Sequence, residues 1–222
     1  MIVPRLDLRL EADAVWRALA VPEGAPRNLR AAARLQTLWQ DALSLLEPRG
    51  AWRLIDGAQA AAAGMPEPPD AVAICVTTIG GGIEAESRRS AEAGALLDAI
   101  ILDAIGSAAA DAAADLLTQE ICAAARSRGL AAAPRESPGY GCWNVAWQPS
   151  LLALLPVADL GIVLTAYAMM IPRKSVSFAV RLLGDAPAEP TDRCARCGLT
   201  ACRHRRKAAR RYDTAGEERK EA

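Results

Sequence analysis

Ala71-Val72-Ala73-Ile74-Cys75-Val76-Thr77-Thr78-Ile79, opened by Asp70 and closed by Gly80-Gly81-Gly82, decides how this chain folds. It is the most β-like run in the sequence, rich in β-branched residues, free of charge and bounded by turn formers. The next stretch has the opposite character. From Glu84 to Arg128 the chain is Ala-rich and almost without breakers, with Leu97, Ile101, Ile105, Ala109, Ala112, Leu116 and Ile121 at helical spacing. Alanine on the inner side lets neighbours approach closely, so this is the central helix against which a sheet packs. Gly106-Ser107 is expected to kink it into two. A strand, three glycines and a helix would also suit a phosphate loop. The chain has no Gly-Lys-Ser/Thr there and no spaced Gly-x-Gly-x-x-Gly, and the stretch reads as a plain strand-to-helix turn.

Working outward toward the N-terminus, Leu6, Leu8 and Leu10 alternate with charged residues, as in a half-buried strand, and Glu11 to Ala20 turns helical. Asn28 caps a second helix whose Leu35, Leu38, Trp39, Ala42 and Leu45 form one apolar stripe, ended by Pro48 and Gly50. Ala51 to Ile55 is a short strand, and Ala58 to Pro69 a connector. Toward the C-terminus, Gly129 ends the long helix and an extended segment leads to a turn. Gln148 to Leu155 is then a short helix, with strands over Leu160 to Ala166 and Val176 to Leu182. The fold class is α+β: a mixed or antiparallel sheet packed on a long Ala-rich helix with flanking helices, and a short Cys-containing C-terminal tail.

A chain of 222 residues, 52% hydrophobic and 23% charged, has the length for one sizeable core and a small appendage. The zero formal charge hides an asymmetry. Eight Arg and Lys between Arg193 and Arg211, with no acid among them, leave 18 basic against 26 acidic residues elsewhere. A uniformly basic nucleic-acid binder is excluded. The N-terminus lacks a charged start followed by an apolar core, so no secretory signal is expected. The apolar run from Leu151 to Ile171 is broken by Pro156, Asp159 and Gly161, against a membrane span. Six Cys without the spacing of a secreted disulfide framework fit a reducing cytoplasm.

One stretch departs from the Ala- and Leu-rich background. Arg135-Glu136-Ser137-Pro138-Gly139-Tyr140-Gly141-Cys142-Trp143 concentrates Gly, Pro and aromatics, and Met169-Met170-Ile171-Pro172-Arg173-Lys174-Ser175-Val176-Ser177 stands further along. Pro138 presets φ and Gly139 supplies the positive φ of a type II turn. Small residues leave main-chain groups open to a ligand, Tyr140 offers a flat face with a hydroxyl, and Arg135 can fork onto a carboxylate. Adjacent Met169 and Met170 suit either core filling or an edge facing a large, partly apolar ring. Asp98, Asp103, Asp111 and Asp115 on the long helix read as solvated acids, with Asp103 beside Gly106 the one best placed to meet a ligand.

The pattern Arg135-x-x-Pro138-Gly139-Tyr140, followed by Leu164-Thr165-Ala166-Tyr167-Ala168-Met169-Met170-x-Pro172-x-x-Ser175-Val176-Ser177, resembles the S-adenosylmethionine-binding reactivation domain of cobalamin-dependent methionine synthase. The resemblance spans roughly Ile74 to Leu183. It implies that Arg135 holds the ligand's carboxylate, that Pro138, Gly139 and Tyr140 shape the pocket, and that Asp103 meets the amino group or ribose. Met169, Met170, Lys174, Ser175 and Ser177 would face the corrinoid. In that family the domain caps cobalamin so that inactive cob(II)alamin is reduced and remethylated. Without a corrinoid-binding domain of its own, the chain would serve a methyltransferase on a separate chain, fed by an electron donor such as a flavodoxin or ferredoxin. It would be part of an enzyme only as an activation subunit. The family has a Cys a few residues after Tyr, then Pro and acids; Gly141-Cys142-Trp143-Asn144 departs from that, so Cys142 carries no role over.

Residues 1–184 form the reactivation-like body, and 185–222 a linker and tail. In the tail, Cys194-x-x-Cys197-x4-Cys202-x-His204 brings three thiols within nine residues. With His204 the set suits zinc; three Cys with a fourth ligand from elsewhere suit an iron–sulfur cluster; free thiols in a basic tail are the plain alternative. An iron–sulfur redox activator of a corrinoid protein, or a zinc-tailed binding module, are the alternatives to methyl transfer.

Overall fold

The computed structural model describes residues 2–3, 5–22, 24–140 and 142–184. The elements run β1 (Ile2–Val3), α1 (Ala12–Ala18), α2 (Leu29–Ser44), β2 (Arg49–Asp56), α3 (Gly57–Ala62), β3 (Ala71–Thr78), α4 (Gly82–Glu92), α5 (Leu96–Arg126) and β4 (Leu130–Ala132). They continue with α6 (Gln148–Leu152), β5 (Val163–Leu164), β6 (Met170–Ile171) and β7 (Ser175–Gly184). Five strands form one antiparallel sheet in the order β1-β2-β3-β7-β4. This is the expected α+β class, and among the described strands the pairing is purely antiparallel.

The unbroken apolar character of β3 reflects its position. Cys75 and Ala73, with Phe178 and Val180 of β7, pack on Leu117, Ile121 and Ala125 of α5. Val72, Ile74 and Val76, with Ala179, face the other way onto Trp143, Leu151, Leu152, Leu160 and Met170. A strand covered on both faces has no polar side. The N-terminal half of α5 makes a third cluster with α1, α2 and α4 around Val15, Leu35, Ile83, Ile101 and Ile105. Asn28 caps α2 as expected, its Oδ1 accepting from Ala31 N–H at 3.0 Å.

Several expectations are corrected. The Leu6–Leu10 segment is not a strand: Leu6 N–H donates to Pro48 O, and Leu6, Leu8 and Leu10 pack among the α1 and α2 side chains. The long helix is interrupted at Ala93-Gly94-Ala95, where Gly94 has φ +79°, and not at Gly106. α5 runs through Gly106 unbroken. A Cβ there would lie 3.1 Å from Ile83 and 3.3 Å from Lys174, so close packing explains the glycine. The connector after β2 holds α3, started by a capping box between Asp56 and Gln59. α6 stops at Leu152. Only Val163 and Leu164 of the expected Leu160–Ala166 strand are extended, and they pair with β6 in a separate hairpin, because a 3-10 turn over Ala158–Leu160 and a left-handed Gly161 occupy the residues before them. No helix among the described residues is long and apolar enough to cross a membrane. The linker and Cys tail, 185–222, lie outside the described residues.

Candidate functional site: two loops joined over the sheet

The turn forms as its residues require. Tyr140 N–H donates to Ser137 O at 3.1 Å, Gly139 takes φ +91°, and Gly139 N–H reaches Trp143 O at 2.7 Å. Pro138 is buried, Gly139 is open, and the Tyr140 side chain is 72% exposed. Trp143 anchors the loop from inside: it is buried and its indole N–H donates to Ala63 O at the end of α3. The chain then enters a 3-10 turn, Val145–Trp147, capped by Asn144 Oδ1 on Ala146 N–H. Trp147 lies flat across Gly64, whose place a Cβ could not share with the indole.

The second loop meets the first on this face. Trp143 and Met170 belong to one buried cluster. Gln148 ties the pieces together: its Nε2 donates to Ala168 O at 2.6 Å, and its Oε1 accepts from Ser177 Oγ at 3.0 Å. The two Met residues divide the roles left open for them, since Met170 is buried and Met169 is 55% exposed. Val163, Tyr167 and Ile171 are exposed on the same hairpin. Ser177 is buried against Gln148. Ser175 Oγ donates to Pro172 O and lies 2.9 Å from Thr78 Oγ1, fixing the turn into β7 after the cis Ile171–Pro172 bond.

Two cations tie these loops to one row of α5. Lys174 Nζ meets Asp103 Oδ1 at 2.7 Å and Ser107 Oγ at 2.8 Å, while its backbone N–H donates to Glu84 at 2.6 Å. Arg135 meets Asp111 at 2.8 Å and Asp115 at 3.0 Å, with its guanidinium 5.5 Å from the centre of the Phe178 ring. Residues 103, 107, 111 and 115 recur every four positions and so share a face. The Arg135 side chain, expected to fork onto a ligand carboxylate, is only 3% exposed and is engaged by two carboxylates of its own chain. Alternation along the edge segment is the reason. Glu136 pairs with Ala179 and points to Arg181 on one side of the sheet, so its neighbour Arg135 points to α5. Asp103 is half exposed at its Lys174 pair.

Sequence reasoning missed Gln148, Trp147 and Glu84. Gln148 and Glu84 act through partners 20 to 90 residues away, which no local pattern announces. Trp147 carried a signal, an aromatic two residues past Val145 in a Gly- and Trp-rich loop, but its seat on Gly64 is a tertiary fact. Burial pushes the Cys75 thiol well up, against the opposing charge of Arg135. Among the described residues no group of three His, Cys, Asp or Glu could hold a metal, and Cys194, Cys197, Cys202 and His204 lie outside them. A groove of about 560 Å³ between α2 and the start of α5 is lined by Arg30, Arg34, Thr37, Leu96 and Asp98, and by none of the loop residues above.

No family model matches this sequence, and no curated protein matches it. Among solved structures the chain is similar to the MetH reactivation domain in a crystal structure with AdoHcy bound. The TM-score is 0.58 at 16% identity, covering 86% of this chain and 82% of that one. That likeness shows a shared fold.

Proposed function

We propose that this chain binds S-adenosylmethionine and supports the reductive remethylation of a cobalamin-dependent methyltransferase, most simply a methionine synthase, carried on a separate chain. The observation that carries the reading is the convergence of the two motif-bearing loops: Gln148 bridges them by hydrogen bonds, and Trp143 and Met170 share one buried cluster on the sheet face opposite α5, in a fold overlapping an AdoHcy-bound reactivation domain. S-adenosylmethionine supplies an electrophilic methyl group. The chain's own part is positioning, with no side chain acting as acid or base.

The residues fit that part unevenly. The open Gly139 backbone and the Tyr140 face suit a nucleoside, and the exposed Met169 and Tyr167 suit the edge of a corrinoid held by the partner. Arg135 reaches a ligand carboxylate only by leaving Asp111 or Asp115. Its role here is support: it clamps the edge segment on α5 and so sets where the turn begins. Lys174, Ser175 and Ser177 likewise hold the second loop in place.

Calorimetry of the full chain with S-adenosylmethionine tests the reading. Heat of binding is expected, weakened by Tyr140→Ala; no heat with either S-adenosylmethionine or S-adenosylhomocysteine removes it. A second reading, an iron–sulfur redox activator or a zinc-tailed module, is favoured by Cys194-x-x-Cys197-x4-Cys202. Anaerobic purification with metal analysis separates iron from zinc. Unchanged metal content in Cys197→Ser would end it.

A further inference from the structure

Five tryptophans stand in this chain, and Trp147 alone of them is exposed, at 43%. Trp16, Trp52 and Trp143 are buried and Trp39 is partly so. An exposed indole is usually loose on its stem. Trp147 is not, because Gly64 gives up its side-chain volume to the inner face of the ring, and because Trp143, four residues earlier, is pinned to Ala63 next door. The indole N–H has no hydrogen-bond partner among the described residues, in contrast to that of Trp143. The result is a rigid aromatic plate with one face seated and the other turned to solvent. The plate is also part of the turn. The same 3-10 segment sets Val145 against Gly139, with a Cβ on that glycine lying 3.6 Å from Val145, so indole and open turn backbone form one unit.

We propose that the outer face of Trp147 is the platform on which the planar purine of an adenine nucleoside ligand stacks. This rests on the reading of the chain as an S-adenosylmethionine binder and names the residue that recognises the base. Stacking on a ring already held in place loses little conformational freedom on binding, which is how such a plate gains affinity.

The test uses the full chain. Because Trp147 is the exposed indole, its emission is the long-wavelength, acrylamide-accessible part of the tryptophan signal. S-adenosylhomocysteine and adenosine are expected to quench that part and shield it from acrylamide, and methionine, which lacks the purine, is not. Trp147→Phe keeps a plate and is expected to bind S-adenosylhomocysteine within a few-fold of the parent. Trp147→Leu covers Gly64 without a π face and is expected to bind about five- to a hundredfold more weakly. Should Trp147→Ala fail to fold, the Phe and Leu variants and the parent's own emission still decide. Equal calorimetric affinity in the parent and Trp147→Leu, or saturating S-adenosylhomocysteine that leaves the exposed emission untouched, overturns the stacking proposal while the binding reading stands. No heat from either S-adenosylmethionine or S-adenosylhomocysteine with the parent takes both away.

Discussion

Gly64 carries a tryptophan where another residue would carry its own side chain. Its φ of +70° and the indole above it oppose any substitution separately, one by backbone strain and one by overlap. Gly64→Ala is expected to cost about 1–3 kcal/mol in urea unfolding. Trp147→Ala in that background should return the overlap part and leave the strain, a non-additivity a double-mutant cycle reads directly. A charged pair at the start of α5 makes a pH prediction. Arg34 grips both Asp98 oxygens, at 2.5 and 2.6 Å, and holds that carboxyl below the usual carboxylate range. A carboxyl lowered in the folded state contributes stability that is complete above its unfolded value, about pH 4, and is lost as pH falls through the folded value. Asp98→Asn should therefore lower the urea midpoint at pH 7 and leave it nearly unchanged at pH 2. A loss of equal size at both pH values would show that the pair contributes nothing through its charge.

Helix α5 and the edge segment over Leu130–Glu136 are held together by a cation whose partners differ from it in exposure. The Arg135 side chain is buried, whereas Asp111 and Asp115 are 44% and 33% exposed. Removing the cation leaves carboxylates that water can reach; removing both carboxylates leaves a buried guanidinium without its compensating charges. Asp111→Ala with Asp115→Ala is thus expected to cost about 3 kcal/mol or more, and Arg135→Met less. The reverse order in urea unfolding would mean that Arg135 is wetter than it looks. Elements also show what local pattern reveals and what it hides. Periodicity of β-branched residues and of Leu and Ala was enough to place β3, α2 and most of α5, because burial of a stripe leaves its period in the chain. It misplaced the helix break. Gly94 and Gly106 look alike in sequence, and only the neighbours distinguish a left-handed cap from a gap for Ile83 and Lys174. The same limit applies to Arg135: the turn beside it was legible from Pro138 and Gly139, but the direction of its side chain depends on the bridge of Glu136 to Ala179.

The sheet is clad on α5's side by one helix and on the other by the Trp143–Met170 segment, so the two motif loops are the second layer of the core as well as the proposed site. Their juxtaposition was inferred from a resemblance and not from any local signal, since the hydrogen bonds that create it span 20 and 29 residues. β7 sits between β3 and β4, pairing Ala71–Thr78 with Ser175–Leu182 about a hundred residues later. A chain ending at Gly184 keeps every strand pairing described here and is expected to unfold in one cooperative step. A chain ending at Pro172 loses the strand that joins β3 to β4 and is expected to lack a cooperative transition in far-ultraviolet circular dichroism. The same placement governs biosynthesis. A ribosome that has delivered β2, β3 and all of α5 has released an apolar ribbon with one flank unzipped, and it stays unzipped until β7, the last strand among the described residues, emerges. For about a hundred residues of synthesis, between Thr78 and the arrival of Ser175–Gly184, that flank is therefore open to wrong partners.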